Sequence, residues 1–112
     1  MNDVSKIKKA LRELGVTPDL KCYHYVEKGV MLVKSDFERG KTARSFMKLY
    51  RDISVAFDTK VSCVERCMRH AVEVSEINNT KLFDHLFGNL KSVTVSNFIC
   101  IIAEHISEPN EF

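Results

Sequence analysis

Four cysteines occur in this 112-residue chain, but none of them forms a Cys-x-x-Cys pair. A zinc knuckle or a thioredoxin-like redox motif therefore has no sequence support. There is no signal peptide either, and Cys22 and Cys100 stand in apolar contexts that suit small core residues. Unpaired cysteines without a secretory leader fit a reducing cytoplasm, the expected location. The longest strongly apolar run, Phe98–Ala103, is six residues, far short of the about 20 that a membrane helix needs. No membrane partner is expected. Repeats, linkers and low-complexity segments are also missing. So are a nucleophile–base–orienter set and a glycine loop that cradles phosphate, so neither an enzyme nor a cofactor is expected. Asp84 and His85 are neighbours in sequence only. His24, His85 and His105 read as surface or satisfied histidines.

Strong net charge is absent as well. The formal total is +2, which announces no polyanion partner. The halves differ, however. Residues 1–51 carry 12 Lys/Arg against 6 Asp/Glu, and residues 52–112 carry 5 against 9. A basic first half is able to lie along phosphates, although a solvated surface is the commoner cause of such a bias. With 45% apolar residues, the chain is long enough for one domain with one modest core.

Helical spacing dominates. Asp3–Leu14 places Val4, Ile7, Leu11 and Leu14 on one face, and Gly15 stands at its stop. Thr17-Pro18 reads as an N-cap followed by proline at the first helical position. A second helix is predicted from about Pro18 to Lys34, with Leu20, Tyr23, Val26, Val30 and Val33 inward. Gly29 within it costs about 1 kcal/mol against alanine. Ser35–Lys41 is a polar link. A third element starts near Thr42 with Phe46, Leu49, Tyr50 and Ile53 apolar; it either continues to Phe57 or breaks near Tyr50-Arg51. Lys81–Phe87 is a short helix stopped by Gly88. Asn89–Val95 is a loop or a brief extended piece. Ser96 or Asn97 caps a last helix, Phe98–Ile106, apolar on most sides, and Glu108–Phe112 is a tail. The predicted fold class is all-α: a small bundle of about six helices containing a helix-turn-helix.

The most informative stretch is Thr59–Ile77. Val64, Met68, Ala71, Val72 and Ser75 form one narrow stripe. Ser62 fits an N-cap, and Ser62-Cys63-Val64-Glu65 matches a capping box. The outer face carries Glu65, Arg66, Arg69, Glu73 and Glu76. Its arginines lie in the first two turns and its later turns are acidic, so a phosphate backbone would be met by the N-terminal turns. A recognition helix enters the major groove in that way. The Arg51–Asp58 segment and the turn-like Asp58–Val61 link precede it in the right order. An ordinary surface helix with two exposed arginines is the plainer reading.

Thr59–Ser75 also resembles the signature of a family: the C-terminal DNA-binding domain of the sporulation initiation response regulator, the stage-zero master transcription factor of endospore-forming bacteria. The family pattern runs approximately T-x-x-S-R-V-E-R-x-I-R-H-A-I-E-V-A. Thr59, Ser62, Val64, Glu65, Arg66, Arg69, His70, Ala71, Glu73 and Val74 match it. Leu14-Gly15-Val16, Lys21, Tyr23 and Tyr25 match upstream; Leu86-Phe87-Gly88, Ser96, Phe98, Ile99, Ile102 and Ala103 match downstream. The resemblance implies a six-helix, helix-turn-helix domain spanning residues 1–112 that reads a short box in double-stranded DNA. It implies that Glu65, Arg66 and Arg69 face base edges, as the hydrogen-bonding patterns of guanine and cytosine permit. Lys60, Ser62 and His70 flank that face and suit phosphates. Glu65 would cap α-helical N–H groups in the free protein and meet a base in the complex.

The chain also departs from the pattern. The family's arginine after the serine is Cys63, which removes a positive charge and predicts weaker binding or a shifted site preference. Arg51 stands where a proline often precedes the motif. The loop from Gly88 to Ser96 is shorter, and Asn79–Gly88, which in the family helps touch RNA polymerase, diverges. No receiver domain is expected within these residues, so control would pass to abundance, self-association in tandem on DNA, or a partner. The competing reading is a protein-interaction module that pairs with or antagonises a full-length regulator. Cys63, Cys67 and His70 share one side of the helix, but a closed zinc site needs four ligands, and no metal is expected.

Overall fold

A computed structural model describes residues 2–108, and the order is α1 (Asp3–Glu13), α2 (Lys21–Glu38), α3 (Phe46–Ala56), α4 (Val61–Asn78), α5 (Lys81–Phe87) and α6 (Val95–Ser107). No strand occurs among the described residues, so the all-α expectation holds and Asn89–Thr94 is loop. The tail expected at Glu108–Phe112 falls, beyond Glu108, outside the described residues.

The long α2 lies at the centre, packed against α1, α3, α4 and α6. It buries Cys22, Tyr23, Tyr25, Val26, Val30 and Val33, more than one stripe, because other helices cover it on several sides. Gly29 does not interrupt it. A Cβ at Gly29 would stand 3.1 Å from Met68 Cε, 3.4 Å from Ile53 Cδ1 and 3.8 Å from Ile99 Cδ1. The missing side chain is what lets α3, α4 and α6 converge on α2 at one level. Ile102, Ala103 and Ile106 of α6 complete the core, and Phe87 of α5 stacks on Phe98 at 5.5 Å between centroids. Val4 is the exception among the expected core residues of α1. It is 39% exposed, because α2 and α6 cover the Ile7–Leu11 side of that helix instead.

Three helices end alike. After α1, the Val16 N–H donates to Leu11 O and the Gly15 N–H to Arg12 O. After α2, Lys41 donates to Asp36 and Gly40 to Phe37; after α3, Thr59 donates to Ser54 and Asp58 to Val55. This paired 6→1 and 5→2 pattern is the Schellman motif, and it requires a left-handed residue between. Gly15 takes that place at φ +84, against Asn78, which would collide with any side chain there. Asp58 takes it at φ +50, tolerable for a short polar side chain.

Several predicted ends move. α2 starts at Lys21, not Pro18, because Thr17–Leu20 closes a turn first, with Leu20 N donating to Thr17 O at 3.0 Å. Proline fits the second position of such a turn, and the Thr17 hydroxyl bonds to Asp19. α2 then runs on through Ser35 to Glu38. α3 starts at Phe46, where Ser45 accepts from the Lys48 N–H at 3.2 Å, and it passes through Tyr50-Arg51 unbroken. α6 starts at Val95, because the Thr94 hydroxyl, not Ser96 or Asn97, accepts the cap bond from Asn97 N at 3.1 Å.

The connector between α2 and α3 is held by Arg44. Its Nε and Nη2 donate to the two oxygens of buried Asp36 at 2.9 and 2.8 Å, and its Nη1 donates to Asp52 on α3 at 2.8 Å. The Arg44 backbone N–H also donates to Asp36 at 2.9 Å. One guanidinium fork therefore fixes where α3 starts, and through α3 it fixes the base on which α4 rests.

Candidate nucleic-acid interface

α4 buries the stripe Val64, Met68, Ala71, Val72 and Ser75, as its periodicity requires. The Ser75 hydroxyl is satisfied by Ala71 O at 3.0 Å. Everything else on the helix is turned outward or half-covered. The four-residue turn between α3 and α4, Phe57–Lys60, follows from the Schellman closure of α3. Thr59 is the last residue of that closure, so the chain becomes helical directly after Lys60, which is extended at φ −90, ψ 148.

That geometry corrects the expected cap. Lys60 is the N-cap residue and supplies no side-chain hydrogen bond; Ser62 already sits inside the first turn. Ser62 therefore caps nothing and Glu65 closes no capping box. Glu65 instead pairs with Arg69 one turn on, Oε1 to Nη2 at 3.5 Å. The first N–H groups of α4 are left without a side-chain acceptor at the positive end of the helix dipole.

Of the six residues expected at DNA, Lys60, Ser62, Arg66, Arg69 and His70 are exposed and Glu65 is half-buried. Arg66, Arg69 and His70 line one shallow hollow together with Cys67 and Glu73. Lys60 and Ser62 stand apart from that hollow, at the N-terminal end. Beneath the face lies Tyr50 of α3, 8% exposed. Burial raises its phenol above the ordinary range; the Glu65 charge adds to that and Arg69 opposes it. The buried ring of Tyr50 on α3 thus lies within electrostatic reach of the charged pair of α4.

Lys21, at the start of α2, was not among the expected site residues. Its charge reaches Cys63 and Cys67 together with that of Arg66, so it adds a cation beside the first turns of α4. Composition offered only a general signal, the excess of Lys/Arg in residues 1–51. Cys63 takes the family's arginine position and is half-buried in the first turn of α4. Cys63, Cys67 and His70 do not join into a metal-ligating cluster; among the described residues no group of three or more His, Cys, Asp or Glu has that arrangement. No helix of the described residues is long and apolar enough to cross a membrane.

The face is thus a short, cation-rich N-terminal end of an exposed helix, followed by an acidic end at Glu73 and Glu76, on a helix–turn–helix connection. A family model described as "Sporulation initiation factor Spo0A C terminal" matches residues 7–106. The match covers nearly the whole chain, and the chain belongs to that family, the C-terminal DNA-binding effector domain of the sporulation initiation factor Spo0A.

Proposed function

We propose that this chain is a sequence-reading transcription regulator that inserts the N-terminal turns of α4 into the major groove. Arg66 and Arg69 donate to guanine edges and Glu65 accepts from cytosine. Lys60, Ser62 and His70 hold phosphates and set register, and Lys21 adds to that hold. The observation that carries the reading is the segregation of charge along the exposed face of α4. Its arginines lie in the first half, Arg66 in the second turn and Arg69 in the third, and Glu73 and Glu76 follow where a duplex would be repelled. The uncapped N–H groups at Val61 and Ser62 support it, since such a terminus favours a phosphate oxygen.

A second reading is a protein-interaction module of the same fold that pairs with or antagonises a full-length regulator. Met47 and Val55, 60% and 78% exposed on α3, favour a pairing surface, which tandem binding on DNA would also use. Contact with RNA polymerase would involve the Asn79–Gly88 region.

Fluorescence anisotropy on two duplexes, one with the family's box and one scrambled, separates the readings. The DNA reading expects preference for the box. Arg66→Ala should narrow that preference by about 1–3 kcal/mol. Lys60→Ala should weaken both duplexes about equally and flatten the salt slope by roughly one unit. Weak binding to both duplexes alike, lost at moderate salt, would favour the interaction module.

A further inference from the structure

Cys63 and Cys67 stand one turn apart on α4, beside the arginines of the exposed face. Cys63 occupies the third helical position after the N-cap Lys60, where the helix dipole favours a thiolate. The Thr59 hydroxyl, the Cys67 thiol and the Lys21 and Arg66 charges all lie near its sulfur. Its pKa is accordingly drawn below the ordinary 9.0. Cys67 differs. Burial raises its pKa, and the neighbouring Cys63 adds to that, so it stays a thiol. Cys67 also lines the open hollow with Arg66 and Arg69, so a small oxidant reaches this neighbourhood from solvent. Cys22 lies near Cys67 but is buried, and desolvation pushes its thiol up to about 11. Cys100 is likewise raised by burial. Of the four thiols, Cys63 is thus the one whose surroundings favour the thiolate, and half-exposed Cys67 is its neighbour one turn on.

We propose that Cys63 and Cys67 form a peroxide-sensitive thiol pair, in which Cys63 is oxidised first and Cys67 closes a disulfide onto it, and that the linked form reads DNA less well. The last clause rests on the function proposed above. In the first step the Cys63 thiolate attacks hydrogen peroxide; one S–O bond forms, the O–O bond breaks, and hydroxide leaves. Cys63 is then a sulfenic acid. In the second step Cys67 sulfur attacks that sulfur, the S–O bond breaks, and the hydroxyl leaves as water with the Cys67 proton. The consequence follows from helix geometry. Side chains at i and i+4 have Cβ atoms about 5–6 Å apart, whereas a disulfide needs about 3.5–4.5 Å. Closing the bond must distort the turn that carries Glu65 and Arg66.

The test is to treat the reduced chain with limiting hydrogen peroxide, digest with trypsin, and follow anisotropy on the box duplex in parallel. Trypsin cuts after Lys60, Arg66 and Arg69, so Val61–Arg66 and Cys67–Arg69 become separate peptides. The expected result is one species joining those two peptides, released by dithiothreitol, with box affinity down roughly tenfold or more and restored on reduction. Cys67→Ser should stop at a Cys63 sulfenic acid that dimedone traps, and Cys22→Ser should change nothing in the linkage. Linkage through Cys22, or oxidation of Cys100 as fast as Cys63, would overturn the pair. A linked form that binds the box as tightly as the reduced chain would overturn its effect on DNA. A reduced chain indifferent to the box would overturn the DNA reading and the control step together, while the peptide linkage still reports on the thiols alone.

Discussion

Arg69 Nη2 lies 3.5 Å from Glu65 Oε1, one turn apart on the exposed side of α4. Both residues belong to the proposed reading set, so in the free protein two base-reading groups are each other's partners. The pair is exposed and worth only about 0.3–0.5 kcal/mol, which makes it easy to part or to carry intact onto a base pair. Glu65→Gln should therefore leave the urea midpoint nearly unchanged. It should also remove a negative charge from the groove-facing end, so affinity for scrambled DNA rises while preference for the box narrows by about 1–3 kcal/mol. Anisotropy on both duplexes reads the two effects separately; a variant that keeps full box preference would remove Glu65 from the reading set.

Arg44 is the residue on which the motif's placement depends most. Asp36 is buried and receives three of its hydrogen bonds, from Nε, Nη2 and the backbone N–H. Arg44→Met should leave the Asp36 carboxylate without the fork and cost about 3–5 kcal/mol in chemical denaturation. Arg44→Lys should recover only part of that, since an ammonium has no planar fork to span Asp36 and Asp52 together.

These two arginine sites also mark what a reader of the sequence is able to see. The buried stripe Val64–Met68–Ala71–Val72–Ser75 was legible because periodicity reports a face directly. Helix ends were less so. Thr17-Pro18, Ser62 and Ser96 are each respectable starts by composition, and each lost to a neighbour: a turn closed by Leu20, a Schellman closure ending at Thr59, and Thr94 as the earlier cap. Arg44 gave no signal, because its partners lie eight residues back on α2 and eight ahead on α3. Lys21 was invisible as a site residue for a similar reason, since only the packing of α2 on α4 brings it to Cys63. What depends on local spacing was readable; what depends on which helices touch was not.

The Arg44 cluster should also shape the acid limb of stability. Hydrogen bonds from Arg44 hold the Asp36 carboxyl below its ordinary 3.8, against the opposing effect of burial. For Asp52, burial acts to raise the carboxyl, but Arg44 and Lys48 together outweigh it. A folded-state pKa below the unfolded one means that the unfolded chain takes up the proton first. This stabilisation is present in full above the ordinary carboxylate value and is lost as pH falls through the folded values. Asp36→Asn should accordingly cost most near neutral pH and progressively less as pH falls below 3.8, so the cost at pH 3 is smaller than at pH 7. Urea midpoints of the two proteins at both pH values measure it; a gap that stays constant would place the cost outside the ionised carboxylate.

Cys63 invites the reverse substitution. The family's arginine at this position would set a third cation beside Arg66 and Lys21, in the first turn of α4 and next to its uncapped N–H groups. If the N-terminal turns of α4 are what meet DNA, Cys63→Arg adds one phosphate contact. The slope of log affinity against log salt should then steepen by about 0.9, with tighter binding at low salt and little change in box preference, because a phosphate contact carries no sequence information. The same substitution should abolish peroxide sensitivity, since Cys67 loses its partner. A steeper slope with full box preference would locate position 63 at the backbone. A changed preference at one base pair would locate it at a base edge and extend the reading set by one turn toward Lys60. An unchanged slope would mean that the helix approaches DNA by another face.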